Sequence, residues 1–217
     1  MLNNGVDVNI KLSRASESFY LSAPSDENKL CIKILDAKLF ITQVELKSPL
    51  LLDHSNLLAM KRKVQYPLTH NQIRKFKASS GAQQVSIDKT FLGPGPERIL
   101  ISFVKNSAFL GSASTYPFHF RHYDMANLVL FVNGVQNPSE PLTMDCSSPF
   151  GATTAYETLF SSTSIYHDDR ARINTMEMFT NNFYVLGFDL TPDREDDEYH
   201  INLPRQGYMR IEARHSK

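Results

Sequence analysis

Alternation of apolar and polar residues within short segments is the feature that most constrains the fold. Val6, Val8, Ile10 and Leu12 alternate with polar residues at the positions between them. Because successive side chains of a β-strand point to opposite faces, this pattern predicts a strand with one face in solvent. Further short β-rich segments predict strands at Gln72–Ala78, Arg98–Lys105, Leu128–Val132, Val135–Pro138, Phe183–Leu190 and Tyr208–Ala213.

The segment Leu30–Leu46 is longer and also rich in β-forming residues. Its apolar positions change parity twice, at Leu35 and at Val44. A strand changes faces only at a bulge, unless both of its faces are covered. We therefore predict a long, bent strand in this segment.

Turn residues locate one hairpin in this pattern. Asn133 and Gly134 stand directly between two apolar runs. Both residues readily adopt the left-handed conformation that a two-residue hairpin turn requires. The sequence therefore predicts a hairpin at this position.

At most two or three short helices are predicted, and two of them can be located. The first spans Pro49–Lys63, with Ser48 as its N-cap and a stripe of leucines along one side. The second is short and begins near Thr154, where Thr154 and Glu157 have the spacing of a capping box. Because short strands and turn-rich connections fill most of the chain, we predict an all-β fold, a jelly-roll β-sandwich with a few short helices.

Composition excludes several classes of function. Basic and acidic residues both number 23, so the formal net charge is zero. Direct nucleic acid binding would need a clustered basic face, which a neutral chain does not favour. The polar N-terminus lacks a signal peptide, and no apolar run approaches membrane-spanning length, so we expect a soluble intracellular chain. Cys31 and Cys146 could form one disulfide if the chain were secreted, but two reduced, buried thiols are expected here.

His119, His122 and Asp124 are the strongest candidates for a metal or catalytic centre. A spacing of three places the two histidines on opposite faces of a strand, and they would converge only in a loop. Metal sites need three or four converging ligands, and the HExxH spacing is absent. We therefore expect a structural loop in which the neighbouring aromatic residues cover the edge of the core.

Other candidate chemistry is weaker. His167, Asp168 and Asp169 form a polar cluster, but no GxSxG elbow supplies a nucleophile. The acidic run Asp193–Glu198 is typical of a solvated loop. The glycine-rich LGPGPER lacks the GK[ST] of a phosphate-binding loop. We expect no catalytic, cofactor-binding or metal-binding residues, and no enzymatic activity.

Seven strings in order along the chain carry a family resemblance. They are NNGVDVNIKLSRASESFYL, KILDAKLF, YPLT, FLGPGPERILISFVKNSAFLGS, YPFHFRHYDMANLVLFVNGVQNPSEPL, YETLFSSTSIY and VLGFDLTPDREDDEYHINLPRQGYMRIEAR. Together they resemble the C-terminal half of the double jelly-roll major capsid proteins of Polinton/Maverick-type elements and adintoviruses. Related uncharacterised animal genes carry the same strings.

The resemblance implies a division of the chain. Residues 1–47 are expected to hold the last strands of a truncated first jelly roll, and 48–65 a connector helix. Residues 66–217 are expected to form the second jelly roll, lacking its final strand. Leu30–Leu46 is expected to pack onto that second roll and partly replace the strand.

The resemblance also implies a function. In the family, three subunits with two jelly rolls each form a pseudo-hexagonal capsomer, so the expected partners are other copies of this chain and minor capsid proteins. Neither direct nucleic acid contact nor membrane contact is expected. The expected location is the virion, or the interior of the cell for a chain made outside a virus.

Two alternatives stay open at this point. The first is a host-retained jelly-roll module that binds a carbohydrate or a protein. The second, with less support, is an enzyme such as a glycosidase, whose paired carboxylates need only spatial proximity.

Overall fold

The computed structural model describes most of the chain, in several ranges: residues 6–21, 31–63, 66, 68–112, 114–148, 150–163, 165, 175–191 and 205–216. Among them the strands are β1 (Gln84–Ile87), β2 (Leu92–Pro94), β3 (Arg98–Ser102), β4 (Met125–Val132), β5 (Val135–Gln136), β6 (Leu142–Thr143), β7 (Val185–Asp189) and β8 (Gln206–His215). The helices in these ranges are α1 (Glu17–Tyr20), α2 (Ser48–Ala59), α3 (Asn106–Leu110), α4 (Thr153–Ser162) and α5 (Met176–Asn181).

The larger sheet is built around β8. This strand pairs with β1 and β2 on one side and with β4 on the other. The shorter strands β5 and β6 pair with the opposite edge of β4. Every pairing in this sheet is antiparallel, and an irregularity in register lies between Met125 and Asn127.

The smaller sheet consists of β3 and β7, which are antiparallel with Ile99 opposite Phe188. Its inward side chains share one core with those of the larger sheet: Ile99, Leu186 and Phe188 with Leu128, Leu130, Met209, Ile211 and Ala213. The described chain is therefore mainly strands in antiparallel sheets with a few short helices, an arrangement consistent with a β-sandwich.

Helix α4 covers part of the smaller sheet. A side chain added at Gly187 in β7 would overlap Ser162, the last residue of α4. The absence of a Cβ at this position lets the helix backbone approach the strand closely. Leu100, which is opposite Gly187 in β3, is instead 54% exposed.

The predicted hairpin is confirmed. Asn133 and Gly134 join β4 to β5 with φ values of 53° and 81°. The Asn133 side-chain oxygen also accepts a hydrogen bond from the Tyr208 backbone N–H at 3.0 Å, which ties the turn to β8. Strands β3, β4, β7 and β8 likewise overlap segments that the alternation predicted.

Three predicted strands are wrong. Residues 6–12, 31–46 and 72–78 form no strand in the structure, and their large apolar side chains are exposed except that of Leu46, which is partly buried. Leu30 lies outside the described residues. Alternation supplies a suitable face, but a strand also needs a neighbour for its backbone N–H and C=O groups, and these ranges have no strand neighbour among the described residues. The expected packing of Leu30–Leu46 onto the second roll is accordingly absent from residues 31–46.

Both helix predictions need correction at their ends. Helix α2 ends at Ala59 instead of Lys63, and Ser48 is its first residue, because Lys47 holds the N-cap position. Helix α4 begins at Thr153 with Ala152 as its N-cap and no side-chain cap. The predicted Thr154–Glu157 capping box is therefore wrong, because the helix begins two residues earlier than that box requires.

Two predicted features lie outside the described residues: the acidic run 193–198 and the polar cluster 167–169. The division of the chain at residues 47 and 65 stays a prediction. All of the strands in the described ranges lie between Gln84 and His215.

Candidate functional sites: a polar pocket and the exposed N-terminal segments

A polar pocket lies between the loop His119–Asp124 and the C-terminal end of α5. Its volume is about 480 Å³, and its lining is His119, Arg121, His122, Tyr123, Asp124, Thr180, Asn181 and Asn182. Backbone hydrogen bonds join the two sides: Phe120 N donates to Asn182 O, and Tyr184 N donates to Phe120 O. The fold thus brings together two polar segments that are about 60 residues apart in the chain.

Each pocket histidine has one ring nitrogen committed to the local backbone. His119 Nε2 lies 3.1 Å from the Asn181 carbonyl and donates to it, because a carbonyl only accepts. His122 Nδ1 accepts from the Asp124 N–H at 3.0 Å. The same Nδ1 lies 3.4 Å from Asp124 Oδ1, which would be an ion pair only with a protonated ring. The shorter of the two contacts is thus the hydrogen bond from the Asp124 backbone to the ring.

The turn at the base of the pocket has an unusual backbone. Tyr123 and Asp124 have φ values of 47° and 50°, and Met125 N donates to His122 O at 3.0 Å across them. A bulky residue such as tyrosine rarely adopts this left-handed conformation, which costs roughly 1–3 kcal/mol.

The end of β8 holds this turn in place. His215 Nδ1 donates to Tyr123 O at 2.8 Å. The Ser216 backbone and hydroxyl both donate to Asp124 O. The strained turn is therefore fixed by the central strand of the larger sheet.

The pocket groups are suited to hydrogen bonding with a polar ligand. Arg121 and Asp124 supply charges of opposite sign, and Asn181 and Asn182 supply amides. Partial burial raises the pKa of Tyr123, against the smaller opposing effect of Arg121. Among the described residues, no group of three or more His, Cys, Asp or Glu side chains could hold a metal ion. The expected absence of metal, cofactor and catalytic residues stays a prediction.

The sequence identified the loop half of this pocket and missed the α5 half. Thr180, Asn181 and Asn182 form a short polar run next to aromatic residues, a pattern that many surface turns share. Only the tertiary fold pairs that run with residues 119–124.

A second cluster surrounds the buried Tyr184 ring. The Tyr184 hydroxyl donates to Met144 Sδ at 2.7 Å and lies 3.7 Å from Cys146 Sγ. Burial raises the pKa of Tyr184 and also that of Cys146. Cys146 and the exposed Cys31 are both free thiols in the structure.

The N-terminal segments expose an unusual amount of apolar surface. Leu35 is 87% exposed and Phe40 is 90% exposed. Other exposed apolar residues in this region are Val6, Val8, Ile10, Leu12, Ile32, Ile34, Leu39, Ile41 and Val44. Soluble monomers rarely leave so many large apolar side chains in solvent, and such surfaces usually mark an interaction site.

Helix α2 follows the same pattern. None of its residues is buried, and its leucines are all between two fifths and two thirds exposed. An amphipathic helix is normally stabilised by packing its apolar side on a neighbour. The leucine stripe of α2 is therefore a second apolar surface available for contact.

Comparisons with known proteins give one relative. No protein-family model matches the chain, and no solved structure matches it. The whole chain aligns at 22% identity over 221 residues with the uncharacterised protein F54H12.2 of Caenorhabditis elegans, of which it covers 52%. The chain thus spans about half the length of that curated relative. None of the helices in the described ranges is long and apolar enough to cross a membrane.

Proposed function

We propose that this chain is a structural protein, the C-terminal jelly-roll part of a virus-like major capsid protein, and that it acts through contacts with other copies of itself. The observation that carries this proposal is the apolar surface exposed by residues 31–46 and α2. Such a surface is expected to be buried when subunits associate. The virion is the corresponding location, and contacts with minor capsid proteins belong to the same proposal.

Strand order supports the jelly-roll part of the proposal. In a jelly roll, the last strand lies between the first and the third, and the second pairs with the one before the last. Here β8 lies between β1 and β4, and β3 pairs with β7. If β1 and β2 together are counted as the first strand, then β3, β4, β7 and β8 correspond to the second, third, seventh and eighth strands of a jelly roll.

This assignment gives β8 the closing position of the roll. Under this assignment, Gln206–His215 would take the place of the final strand that the resemblance implied to be missing. Helix α4 packs on the face of β7 at Gly187.

Sequence resemblance supports the capsid part of the proposal. The seven strings span nearly the whole chain, and the longest of them include β3, β4 and β8. A catalytic role is not part of this proposal.

Sedimentation velocity of the purified 217-residue chain tests the assembly proposal. We expect association that grows with concentration, with oligomers visible by negative-stain electron microscopy. A matched variant with Leu39, Ile41 and Val44 changed to Ser should associate more weakly, because these side chains are all exposed in the single chain. A wild-type chain that stays monomeric at every accessible concentration would contradict the proposal.

The polar pocket supports a second candidate function, binding of a carbohydrate. Its volume is in the range of small-ligand sites, and its amides and charges can bond to sugar hydroxyls. Binding to a glycan array that is lost in Asn182→Ala, with Asn127→Ala as the control outside the pocket, would favour this function. No glycan binding by the wild type would reject it.

A further inference from the structure

Within the described residues, the smaller sheet has an open edge along β3. β3 pairs with β7 along one side, and the described residues contain no strand neighbour for its other side. At this edge, Ile99 and Ile101 point toward the core and Leu100 is exposed. An edge strand of this kind presents unpaired backbone groups to any extended segment that reaches it.

The segment 31–46 has the properties of a missing neighbour. It lies in no helix or strand, and it exposes large apolar side chains at both odd and even positions, such as Leu35 and Phe40. Among the described residues its backbone has one recorded partner, the Arg14 guanidinium, which donates to Ile32 O at 2.7 Å. Residues 33–44 therefore retain most of the donors and acceptors that a strand pairing uses.

The apolar patterns of the two elements are complementary. A strand added beside β3 would have an inner face that extends the core next to Ile99 and Ile101. Its outer face would lie next to the exposed Leu100. A segment whose apolar parity changes, as it does at Leu35, supplies apolar side chains to both faces.

We propose that residues 33–44 of one copy pair with the open edge of β3 in a second copy. The inference rests on the proposed function and identifies the surfaces that would carry subunit contact. The donor is a second copy because, within the described part of the chain, both elements lack a strand partner and do not pair with each other. Each copy then donates one strand and accepts one, a head-to-tail contact that forms a ring when its rotation closes.

Two variants separate donor from acceptor. Leu35→Pro removes a backbone N–H from the donor, and its control is Leu68→Pro, since both leucines are 87% exposed. Leu100→Lys puts a charge on the acceptor edge, and its control is Val135→Lys on the edge strand β5. We expect each test variant to raise the concentration needed for association about tenfold or more, and each control to behave as the wild type.

Mixing the two test variants provides the decisive measurement. Leu35→Pro chains can accept a strand and Leu100→Lys chains can donate one, so an equimolar mixture should form a one-to-one dimer and nothing larger. Native mass spectrometry with one isotope-labelled variant identifies that dimer. Unchanged hydrogen exchange in β4 and β8 shows that both variants remain folded.

Other outcomes would reject strand donation, the second copy as the partner, or the proposed function itself. Association of both variants at the wild-type concentration rejects strand donation and leaves assembly by another surface in place. A mixture that stays monomeric while the wild type associates also rejects it. Protection of residues 33–44 in dilute monomer indicates pairing within one copy and rejects the second copy as partner. A monomeric wild type rejects both this inference and the proposed function.

Discussion

At the scale of single residues, Gly187 controls how closely α4 approaches β7. Gly187→Ala should lower the free energy of unfolding by about 1–3 kcal/mol, because the added methyl group would overlap the buried Ser162 side chain. Urea denaturation measures the change. Ser162→Ala in the same chain should restore part of the loss and no more, since the Thr158 carbonyl would still lie 3.2 Å from the new Cβ. Equal stability of Gly187→Ala and the wild type would disprove this close packing.

Tyr184 makes stability depend on pH in the alkaline range. Burial raises its pKa well above the usual value of about 10. Below about pH 10, which is the pKa of a tyrosine in the unfolded chain, the phenol is protonated in both the folded and the unfolded protein. Above it, the unfolded chain releases a proton that the folded chain keeps, so the free energy of unfolding should fall by about 1.4 kcal/mol for each further pH unit.

The free energy of unfolding is measured against pH in two chains that both carry Cys146→Ala, one with Tyr184 and one with Tyr184→Phe. The Cys146→Ala change removes the thiol, whose pKa is also raised by burial. The Tyr184→Phe chain should lack this part of the slope above pH 10 or so. Tyr116→Phe, at a tyrosine that is 55% exposed, is the control and should keep the slope. Identical slopes with and without the Tyr184→Phe substitution would show that Tyr184 does not cause the loss of stability at alkaline pH.

At the scale of elements, the hairpin turn is fixed by backbone geometry. Gly134→Ala should cost about 1–2 kcal/mol of stability, since an L-residue is strained at φ 81°. The new Cβ would also come within 3.2 Å of the Tyr208 hydroxyl. Val135→Ala, at the neighbouring residue that is 70% exposed, should change stability by less than about 0.5 kcal/mol. Thermal and urea unfolding measure both, and equal effects would argue against turn strain.

Helix α2 should contribute little to the stability of a single chain. Leu52→Ser, at a site that is 63% exposed, should leave the free energy of unfolding within about 0.5 kcal/mol of the wild type. Leu186→Ala is the contrast, because that fully buried side chain should cost about 2–5 kcal/mol. Urea denaturation in dilute solution measures both. A large loss in Leu52→Ser would mean that α2 packs on the folded body.

The elements also divide into those that the sequence predicts and those that it does not. The turn at Asn133 is predictable because its residues alone favour the required backbone conformation. Residues 6–12 have cleaner alternation than β3, yet only β3 is a strand, since β7 lies beside it. Pairing is a property of two segments, so a pattern within one segment cannot supply it.

The candidate pocket was predictable only in part for the same reason. His119, His122 and Asp124 stand out by residue type. Their turn does not, because Tyr123 and Asp124 carry no glycine to signal a positive φ. That turn depends on hydrogen bonds from His215 and Ser216, which are about 90 residues away in the chain.

At the scale of the whole molecule, stability should be distributed unevenly. Amides of residues 31–46 should exchange within the fastest phase in dilute solution, since they lie in no helix or strand. Amides of β4 and the middle of β8 should exchange slowest, because these strands pair with each other and carry buried Leu130 and Ile211. Hydrogen exchange read by mass spectrometry measures the contrast, and uniform protection along the chain would contradict it.

The position of β8 has a consequence for how the protein is made. A ribosome releases β1, β2 and β4 well before it adds residues 206–215, which join them. At a synthesis rate of about 5–20 residues per second, the nascent chain spends several seconds with an incomplete larger sheet. Its apolar strands are then without their common neighbour, and contact with a chaperone during that interval would protect them from aggregation. The larger sheet can therefore be completed only after residues 206–215 have left the ribosome.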